Sequence, residues 1–158
     1  MNVRDFKPED LKPVLKLCDE VREHHRRILD GYFMPQDDDM EGAQVMGAFE
    51  SGKAVMLVAE KDGVPVGFLL AEKKNSPWLE APRTAVIHNL VVTEKCRGGG
   101  IGQKLMDVFY RRCQKVGIQE IKLGVFNKNK TAYKFYEKYG FEPQEQKMSL
   151  RVKQYDDN

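Results

Sequence analysis

The chain has 158 residues, of which 41% are hydrophobic and 32% are charged. This is the size and balance of one ordinary soluble domain, so we expect a single domain over residues 1–158. The formal net charge is only +2, and basic and acidic residues are interspersed, which argues against nucleic acid as a partner. No apolar run approaches the roughly 18 residues of a membrane span, and the N-terminus lacks an apolar secretory stretch. We therefore expect a cytoplasmic protein with no membrane partner.

The cysteines and histidines form neither a disulfide pattern nor a metal-binding pattern. Cys18, Cys96 and Cys113 are odd in number and far apart, with no pair spaced as C-x-x-C. We expect all three to be reduced thiols. His24 and His25 follow each other on a predicted helix, where successive side chains point about 100° apart, so they cannot easily share one ion. The sequence predicts no metal site.

The first half of the chain predicts two helices followed by a hairpin. Apolar residues recur at helical spacing after Pro8, which suits the first turn of a helix, and this helix continues to Ile28. A second, shorter helix is expected to start at the cap candidates Asp37–Asp39 and to end at Gly52. The hairpin consists of the strands Ala54–Ala59 and Val66–Ala71 around the turn Lys61–Gly63.

The second half predicts strands that alternate with helices, so the chain has an α/β order with an antiparallel start. Its first strand is apolar on both faces apart from the middle, as in a covered central strand, and we expect this strand and its His88 to be buried. In chain order the predicted segments are the strand Ala85–Val92, the glycine-rich loop Arg97–Gly102, a helix from Ile101 to Val116, the strand Ile121–Phe126, the helix Thr131–Tyr139 and the strand Lys147–Val152.

The glycines between the central strand and the following helix are suited to hold phosphate. They let the backbone approach a ligand closely, and a helix N-terminus supplies unpaired N–H groups and a positive dipole end. The dinucleotide fingerprint fails because Gln103 stands where a third glycine is required, and the P-loop fails because no lysine follows Gly102. The loop therefore disfavours NAD and ATP, and a tight turn with close helix packing is the structural alternative.

Two stretches of the second half carry a family resemblance. Arg97-x-x-Gly100-x-Gly102 resembles the acyl-coenzyme A signature of the GNAT superfamily of N-acetyltransferases. At the expected distance follows Asn129-x-x-Ala132-x-x-Phe135-Tyr136-x-x-x-Gly140-Phe141, which is similar to the later motif of that superfamily. The resemblance covers about residues 84–142. It implies a single-domain α/β (α+β) fold with a mixed, mostly antiparallel central sheet and helices on both faces.

The resemblance also implies acetyl-CoA as the cosubstrate. Its pyrophosphate is expected on the glycine loop, where backbone N–H groups and Arg97 face it. Its pantetheine arm is expected to lie between the strand that ends at Val92 and the strand Ile121–Phe126, which should splay apart. The Tyr136 hydroxyl is expected near the thioester sulfur, as the proton donor to the departing thiolate. The residues expected to bind the coenzyme are Leu90, Val91, Val92, Arg97, Gly98, Gly99, Gly100, Ile101, Gly102, Asn129 and Tyr136.

The implied reaction is acetyl transfer to a primary amine of a small molecule or a protein, by direct attack in a ternary complex. No motif identifies the acceptor or excludes other acyl groups. Gly124 stands where members that modify ribosomal-protein N-termini often carry an acid, which argues against that subgroup. The rival, from a different class, is a non-catalytic acyl-CoA sensor that keeps the loop without turnover. A homodimer is compatible with the sequence.

His88 is the candidate general base. It stands where many members of the superfamily carry a glutamate, and histidine changes its protonation near neutral pH. An alkyl amine with a pKa of about 10 arrives protonated, so a base must remove a proton before the nitrogen attacks. The alternatives are a purely structural histidine, a water relay, or a carboxylate such as Glu72 or Glu80.

Simpler explanations exist for the other site residues. Tyr136 could pack in the core, Arg97 could be a solvated surface charge, and Asn129 could cap the helix beside it. Cys96 lies next to Arg97 but has no local base, so a cysteine nucleophile is disfavoured. Asp37–Asp39 could attract a cationic amine, although helix capping explains them better.

Overall fold

The computed structural model describes residues 1–29, 38–74 and 83–150, without the side chains of residues 38–39. Short 3-10 turns at Pro8–Asp10 and Glu94–Cys96 precede two of the helices. The cap candidate Asp37 and the alternative base Glu80 lie outside the described residues. In the described part of the chain the elements are β1 Asn2–Asp5, α1 Leu11–Ile28, α2 Asp38–Glu50, β2 Ala54–Lys61, β3 Val64–Lys74, β4 Thr84–Val92, α3 Ile101–Lys115, β5 Glu120–Leu123 and α4 Lys130–Tyr139.

The strands form one mixed sheet in the order β1-β2-β3-β4-β5. The pairs from β1 to β4 are antiparallel, and the turn between β2 and β3 places Asp62 and Gly63 in the left-handed region, as a tight hairpin requires. β4 and β5 are parallel, because α3 crosses over between them. The predicted mixed, mostly antiparallel sheet is confirmed.

An apolar layer lies on each face of the sheet, because successive side chains of a strand point to opposite faces. On one face, Leu57 and Leu69 of the central strands pack against α3. On the other face, Val58 and Phe68 pack against α1 and α2. The prediction of helices on both faces is confirmed. The buried side chains of α3 recur at the expected helical spacing and are Ile101, Leu105, Met106, Phe109 and Cys113.

An ion pair between the half-buried Arg4 and the buried Asp10 joins the first strand to the start of α1. The Asp10 side chain accepts from Arg4 Nη1 and Nη2, at 2.7 and 2.9 Å, and from the backbone N–H of Lys7 at 2.8 Å. Asp10 is 3% exposed. The hydrogen bond from Arg4 and the charge of its guanidinium hold the pKa of Asp10 below its usual range although burial opposes them. This pair fixes where α1 starts relative to the sheet.

Two predictions about the C-terminal part of the chain are wrong. β5 ends at Leu123 and does not extend to Phe126. The predicted last strand does not form over Lys147–Leu150, where Met148 and Leu150 are each 90% exposed. An alternating apolar pattern makes a strand only where a neighbouring strand accepts its backbone hydrogen bonds, and none is paired to this segment in the described residues. Residues 151–152 of that prediction lie outside the described residues.

None of the helices within the described ranges is both long and apolar enough to cross a membrane.

Candidate functional site

Strand β4 has a strand partner on only one side along its second half. Its pairing with β5 runs from Thr84–Glu120 to Ile87–Leu123 and stops there, whereas its pairing with β3 continues to Val92. From His88 to Val92, the edge of β4 that faces β5 therefore has no strand partner among the described residues. Backbone N–H and C=O groups on such an edge are available to an extended ligand.

A β-bulge lies where this open edge begins. On β3, Leu70 pairs with Asn89 and Ala71 pairs with Ile87, so His88 is the extra residue of β4. A bulge bends its strand and redirects the side chains that follow. The predicted coenzyme residues Leu90, Val91 and Val92 follow the bulge directly; Val91 is buried, and Leu90 and Val92 are half-buried.

His88 is exposed, and the prediction of a buried histidine is wrong. Its side chain is 39% exposed, because the bulge places it outside the regular alternation of the strand. Its Nε2 lies 3.1 Å from Oε2 of Glu72 on β3. Ala71 of β3 belongs to the apolar layer under α3. The next residue, Glu72, points to the opposite face, so the pair of His88 and Glu72 lies on the face that α1 and α2 cover. Two of the predicted base candidates thus form one hydrogen-bonded pair.

The glycine loop joins the end of β4 to an uncapped helix N-terminus. Gly98 and Gly100 have φ of 78° and 77°, a left-handed conformation that favours glycine. Gly100 is the N-cap of α3, and no side chain caps this helix. The first N–H groups of a helix have no partner within it, so those that follow Gly100 are available to an anion. Gly98, Gly99 and Gly100 are exposed, whereas the Ile101 side chain is buried under the helix.

Arg97 stands between the open edge and the loop. Its Nε donates to the backbone oxygen of Val92 at 3.0 Å, which fixes the exposed guanidinium at the end of β4. No described residue forms an ion pair with this guanidinium, so its charge is available to a phosphate.

Glu20 of α1 holds the start of the loop, a contact that the sequence analysis missed. Its carboxylate accepts from Thr93 Oγ1 at 2.9 Å and from the backbone N–H of Glu94 at 2.8 Å. The second bond satisfies a donor at the start of the 3-10 turn Glu94–Cys96. Glu20 and Thr93 are 73 positions apart in the chain, so no local sequence pattern could indicate their contact.

Asn129 caps α4, as one of the predicted alternatives proposed. Its Oδ1 accepts from the backbone N–H of Ala132 at 3.2 Å. Its Nδ2 lies 3.4 Å from His25 Nε2 on α1, and the His25 ring meets Phe126 edge-on at 5.3 Å between centroids. The site therefore contains a histidine of α1 whose only predicted role, as a metal ligand, was rejected from the sequence.

Tyr136 lies in an aromatic cluster on α4. Its ring is edge-on to Phe135 and Phe141, with centroids 5.3 and 5.6 Å away. Burial raises the pKa of Tyr136 to about 12, and its hydroxyl has no hydrogen-bond partner among the described residues. The neighbouring Tyr139 differs, because its hydroxyl lies 3.1 Å from Asp107 Oδ1 on α3. Tyr136 is thus a protonated phenol at neutral pH, and its O–H group donates to no described residue.

The two sequence motifs are in contact in the folded chain. A Cβ at Gly102 would lie 3.4 Å from the Phe135 ring and 3.9 Å from Val92, so the helix after the loop packs against α4 and the end of β4. The fold therefore places the loop, the open edge and the helix of Asn129 and Tyr136 around one region.

Cys18 and Cys113 are buried thiols. Burial raises the pKa of Cys18 to about 12 and that of Cys113 to about 11, so both are thiols at neutral pH. All three cysteines are free, as predicted, and Cys96 is half-buried. Within residues 1–29, 38–74 and 83–150, no three His, Cys, Asp or Glu side chains come together as a metal-ligand group.

Comparisons with known proteins support one family. The model described as "Acetyltransferase (GNAT) family" matches residues 18–141. The chain is 26% identical over 144 residues to the uncharacterized N-acetyltransferase YhfO of Bacillus subtilis, with 90% of each chain covered. It is 35% identical over 88 residues to the uncharacterized N-acetyltransferase MJ1207 of Methanocaldococcus jannaschii. This match covers 56% of the present chain but only 39% of the length of MJ1207.

Solved structures share the fold at low identity. A mutant form of the BH1408 protein of Bacillus halodurans superposes with a TM-score of 0.88 at 24% identity and covers 96% of this chain and 99% of its own. An aminoglycoside 6'-N-acetyltransferase of Acinetobacter haemolyticus superposes with a TM-score of 0.76 at 15% identity, with 98% and 100% covered. The match of the family model over most of the chain, on a fold that these structures share, shows that the chain belongs to the acetyltransferase (GNAT) family.

Proposed function

We propose that this protein is an acetyl-CoA-dependent N-acetyltransferase that acts on a primary amine of a small molecule or a protein. The observation that carries the proposal is the open edge of β4 from His88 to Val92, which leads directly to the uncapped N-terminus of α3. An extended amide-containing arm suits the first feature and a pyrophosphate suits the second. Acetyl-CoA contains both groups in that order.

In this proposal the coenzyme lies along β4 with its phosphates at the loop. The backbone N–H groups of Gly98–Gly102 and the guanidinium of Arg97 bind the pyrophosphate. The backbone of Leu90–Val92 bonds the pantetheine amides, and a backbone donor near Leu90 polarises the thioester carbonyl. Asn129 lies beside the pantetheine arm. Binding both reactants in one cleft makes the attack nearly unimolecular.

The proposed chemistry needs one base and one acid. The acceptor arrives as an ammonium ion, and His88, oriented by Glu72, takes one of its protons. The amine nitrogen then bonds to the acetyl carbon while the carbon–sulfur bond breaks. The thiolate takes a proton from the Tyr136 phenol, and the second proton lost by the nitrogen restores that phenol. The products are the acetamide, free coenzyme A and one proton that leaves from His88.

The acceptor is proposed by class only. The net charge of +2, with basic and acidic residues interspersed, supports a substrate other than nucleic acid. The free cysteines support the reducing cytoplasm as the compartment. A homodimer is also proposed, supported by the exposure of Met148 and Leu150, and light scattering of the purified protein tests it.

Turnover with an amine panel is the direct test. Aminoglycosides, polyamines, amino acids and peptides with free N-termini are each incubated with acetyl-CoA, and mass spectrometry detects a product heavier by one acetyl group. We expect turnover with at least one class and a loss of about 10²-fold in kcat in Tyr136→Phe, the effect of a lost general acid. Coenzyme A binding without turnover across the whole panel would support the sensor and contradict the enzyme.

Calorimetry with coenzyme A tests the phosphate site. We expect Arg97→Ala to weaken binding about tenfold or more, because it removes a charge-assisted hydrogen bond to phosphate. Lys95→Ala is the matched control, since it removes the same charge two residues away from an exposed position in the 3-10 turn. Gly100→Asp should also weaken binding because it adds an acid beside the phosphates. Equal binding by the wild type and the Arg97 variant would contradict this placement.

The base is tested by kinetics at saturating coenzyme. We expect His88→Gln to lower kcat about 10²-fold and to remove an acidic limb of the pH–rate profile, with unchanged coenzyme A affinity. Glu72→Gln should lower kcat less, because it removes only the group that orients the ring. Wild-type turnover in His88→Gln would eliminate this assignment.

A further inference from the structure

Helix α1 reaches across the end of β5 to the helix that carries the later motif. α1 packs on one face of the sheet, whereas the aromatic residues Phe135 and Tyr139 of α4 pack against the apolar layer of the other face. β5 ends at Leu123, and the following connection brings Phe126 and Asn129 to the side chain of His25. This contact links residues 104 positions apart in the chain.

The helix cap determines which atoms of Asn129 face His25. The backbone N–H of Ala132 needs an acceptor, so the oxygen of the Asn129 amide must be the atom that it contacts at 3.2 Å. The amide nitrogen is then the atom 3.4 Å from His25 Nε2. An amide nitrogen only donates, so His25 Nε2 must accept, and this requires a neutral imidazole with its proton on Nδ1.

The surroundings of His25 favour that neutral form. Burial lowers the pKa of His25, and the charge of the adjacent His24 lowers it further. The edge-on Phe126 ring covers one side of the imidazole. The hydrogen-bond geometry and the surroundings therefore agree that Nε2 is an acceptor at neutral pH.

From this geometry we propose that His25 is a positioning residue, whose neutral Nε2 holds the Asn129 amide in the orientation that binds the pantetheine arm. The Asn129 nitrogen carries two protons; one bonds His25, and the other stays available to an amide carbonyl of the coenzyme. The inference rests on the proposed function, because Asn129 is assigned to the coenzyme only there. In this proposal His25 of α1 orients the Asn129 amide, which contacts the coenzyme at the start of α4.

Three variants test the proposal. His25→Leu removes the acceptor and keeps an apolar side chain; His25→Gln supplies an oxygen near the position of Nε2; His24→Gln is the control one residue away. We expect His25→Leu to raise the KM for acetyl-CoA and the Kd for coenzyme A about fivefold with kcat nearly unchanged, the effect of one neutral hydrogen bond. His25→Gln should restore both values to within about twofold of wild type, and His24→Gln should match wild type.

Nuclear magnetic resonance of the wild-type protein provides a second test that does not depend on coenzyme binding. Long-range ¹H–¹⁵N correlations distinguish the two neutral tautomers of histidine, and we expect His25 to carry its proton on Nδ1 at neutral pH. A proton on Nε2, or wild-type KM and Kd in His25→Leu, would overturn the proposal. If wild type itself fails to bind coenzyme A, the proposed function fails, while the tautomer of His25 still reports on the contact with Asn129.

Discussion

The packing of α3 on the sheet depends on the absence of a side chain at Gly67 of β3. A Cβ there would lie 3.1 Å from Cγ2 of Ile101, 3.1 Å from Cδ1 of Leu105 and 3.2 Å from the backbone oxygen of Val91. Ile101 and Leu105 are buried and belong to the first turns of α3, and the Val91 oxygen belongs to the central strand. Gly67→Ala therefore pushes the start of α3 away from β3.

The expected magnitude follows from these contacts. Overpacking a filled core costs about 1–3 kcal/mol, and the backbone at Gly67 has no positive φ, so alanine recovers about 0.4–1 kcal/mol by restricting the unfolded chain. We expect a net loss of about 1–2 kcal/mol in the free energy of unfolding, which lowers Tm by about 5 °C for a chain of this size. Because Ile101 follows the glycine loop, the affinity for coenzyme A should fall as well.

Urea unfolding and calorimetry with coenzyme A measure the two effects. Gly47→Ala is the matched control, because Gly47 lies within α2 and a Cβ there meets no atom within 4 Å. This control should leave stability unchanged or raise it by up to about 1 kcal/mol, since alanine is the better helix former. If Gly67→Ala is as stable as wild type and binds coenzyme A equally well, α3 adapts at no cost and the reasoning is refuted.

Three further predictions concern stability, the loop and the acid. Asp10→Ala should lower the free energy of unfolding by about 2 kcal/mol, because it leaves Arg4 without its buried partner. The pKa of Asp10 is lower in the folded than in the unfolded protein, so the pair contributes its full stability above the unfolded pKa and loses it as pH falls through the folded pKa. Urea titrations at several pH values measure both effects. Glu20→Ala should weaken coenzyme A binding about tenfold in calorimetry by releasing the turn that it holds, whereas Glu23→Ala, exposed on the same helix, should bind as wild type. Because burial raises the pKa of Tyr136 to about 12, its proton is retained well above neutral pH, and we expect no basic limb from Tyr136 below pH ~10 in the pH–rate profile. A basic limb in that range that disappears in Tyr136→Phe would contradict the raised pKa, and a wild-type kcat in Tyr136→Phe would contradict its role as the acid.

Local patterns in the sequence were sufficient for most of the fold. The helices α1 and α3 follow from apolar residues at helical spacing, and their predicted ranges agree with the structure within a few residues. Helix capping was the alternative to coenzyme binding for Asn129, and Asn129 caps α4. These features depend on residues within about one turn of each other, so the composition of a short window determines them.

Other features depend on residues far apart in the chain, and only the tertiary structure decided them. His88 sits in an apolar strand pattern, but the pairing of β3 with β4 creates a bulge that exposes it beside Glu72. The contact between His25 and Asn129 has no local signature, because it needs α1 and α4 to meet beyond the end of β5. Backbone spacing within one element predicts which face a side chain occupies, whereas its partner depends on how the elements are arranged around the sheet.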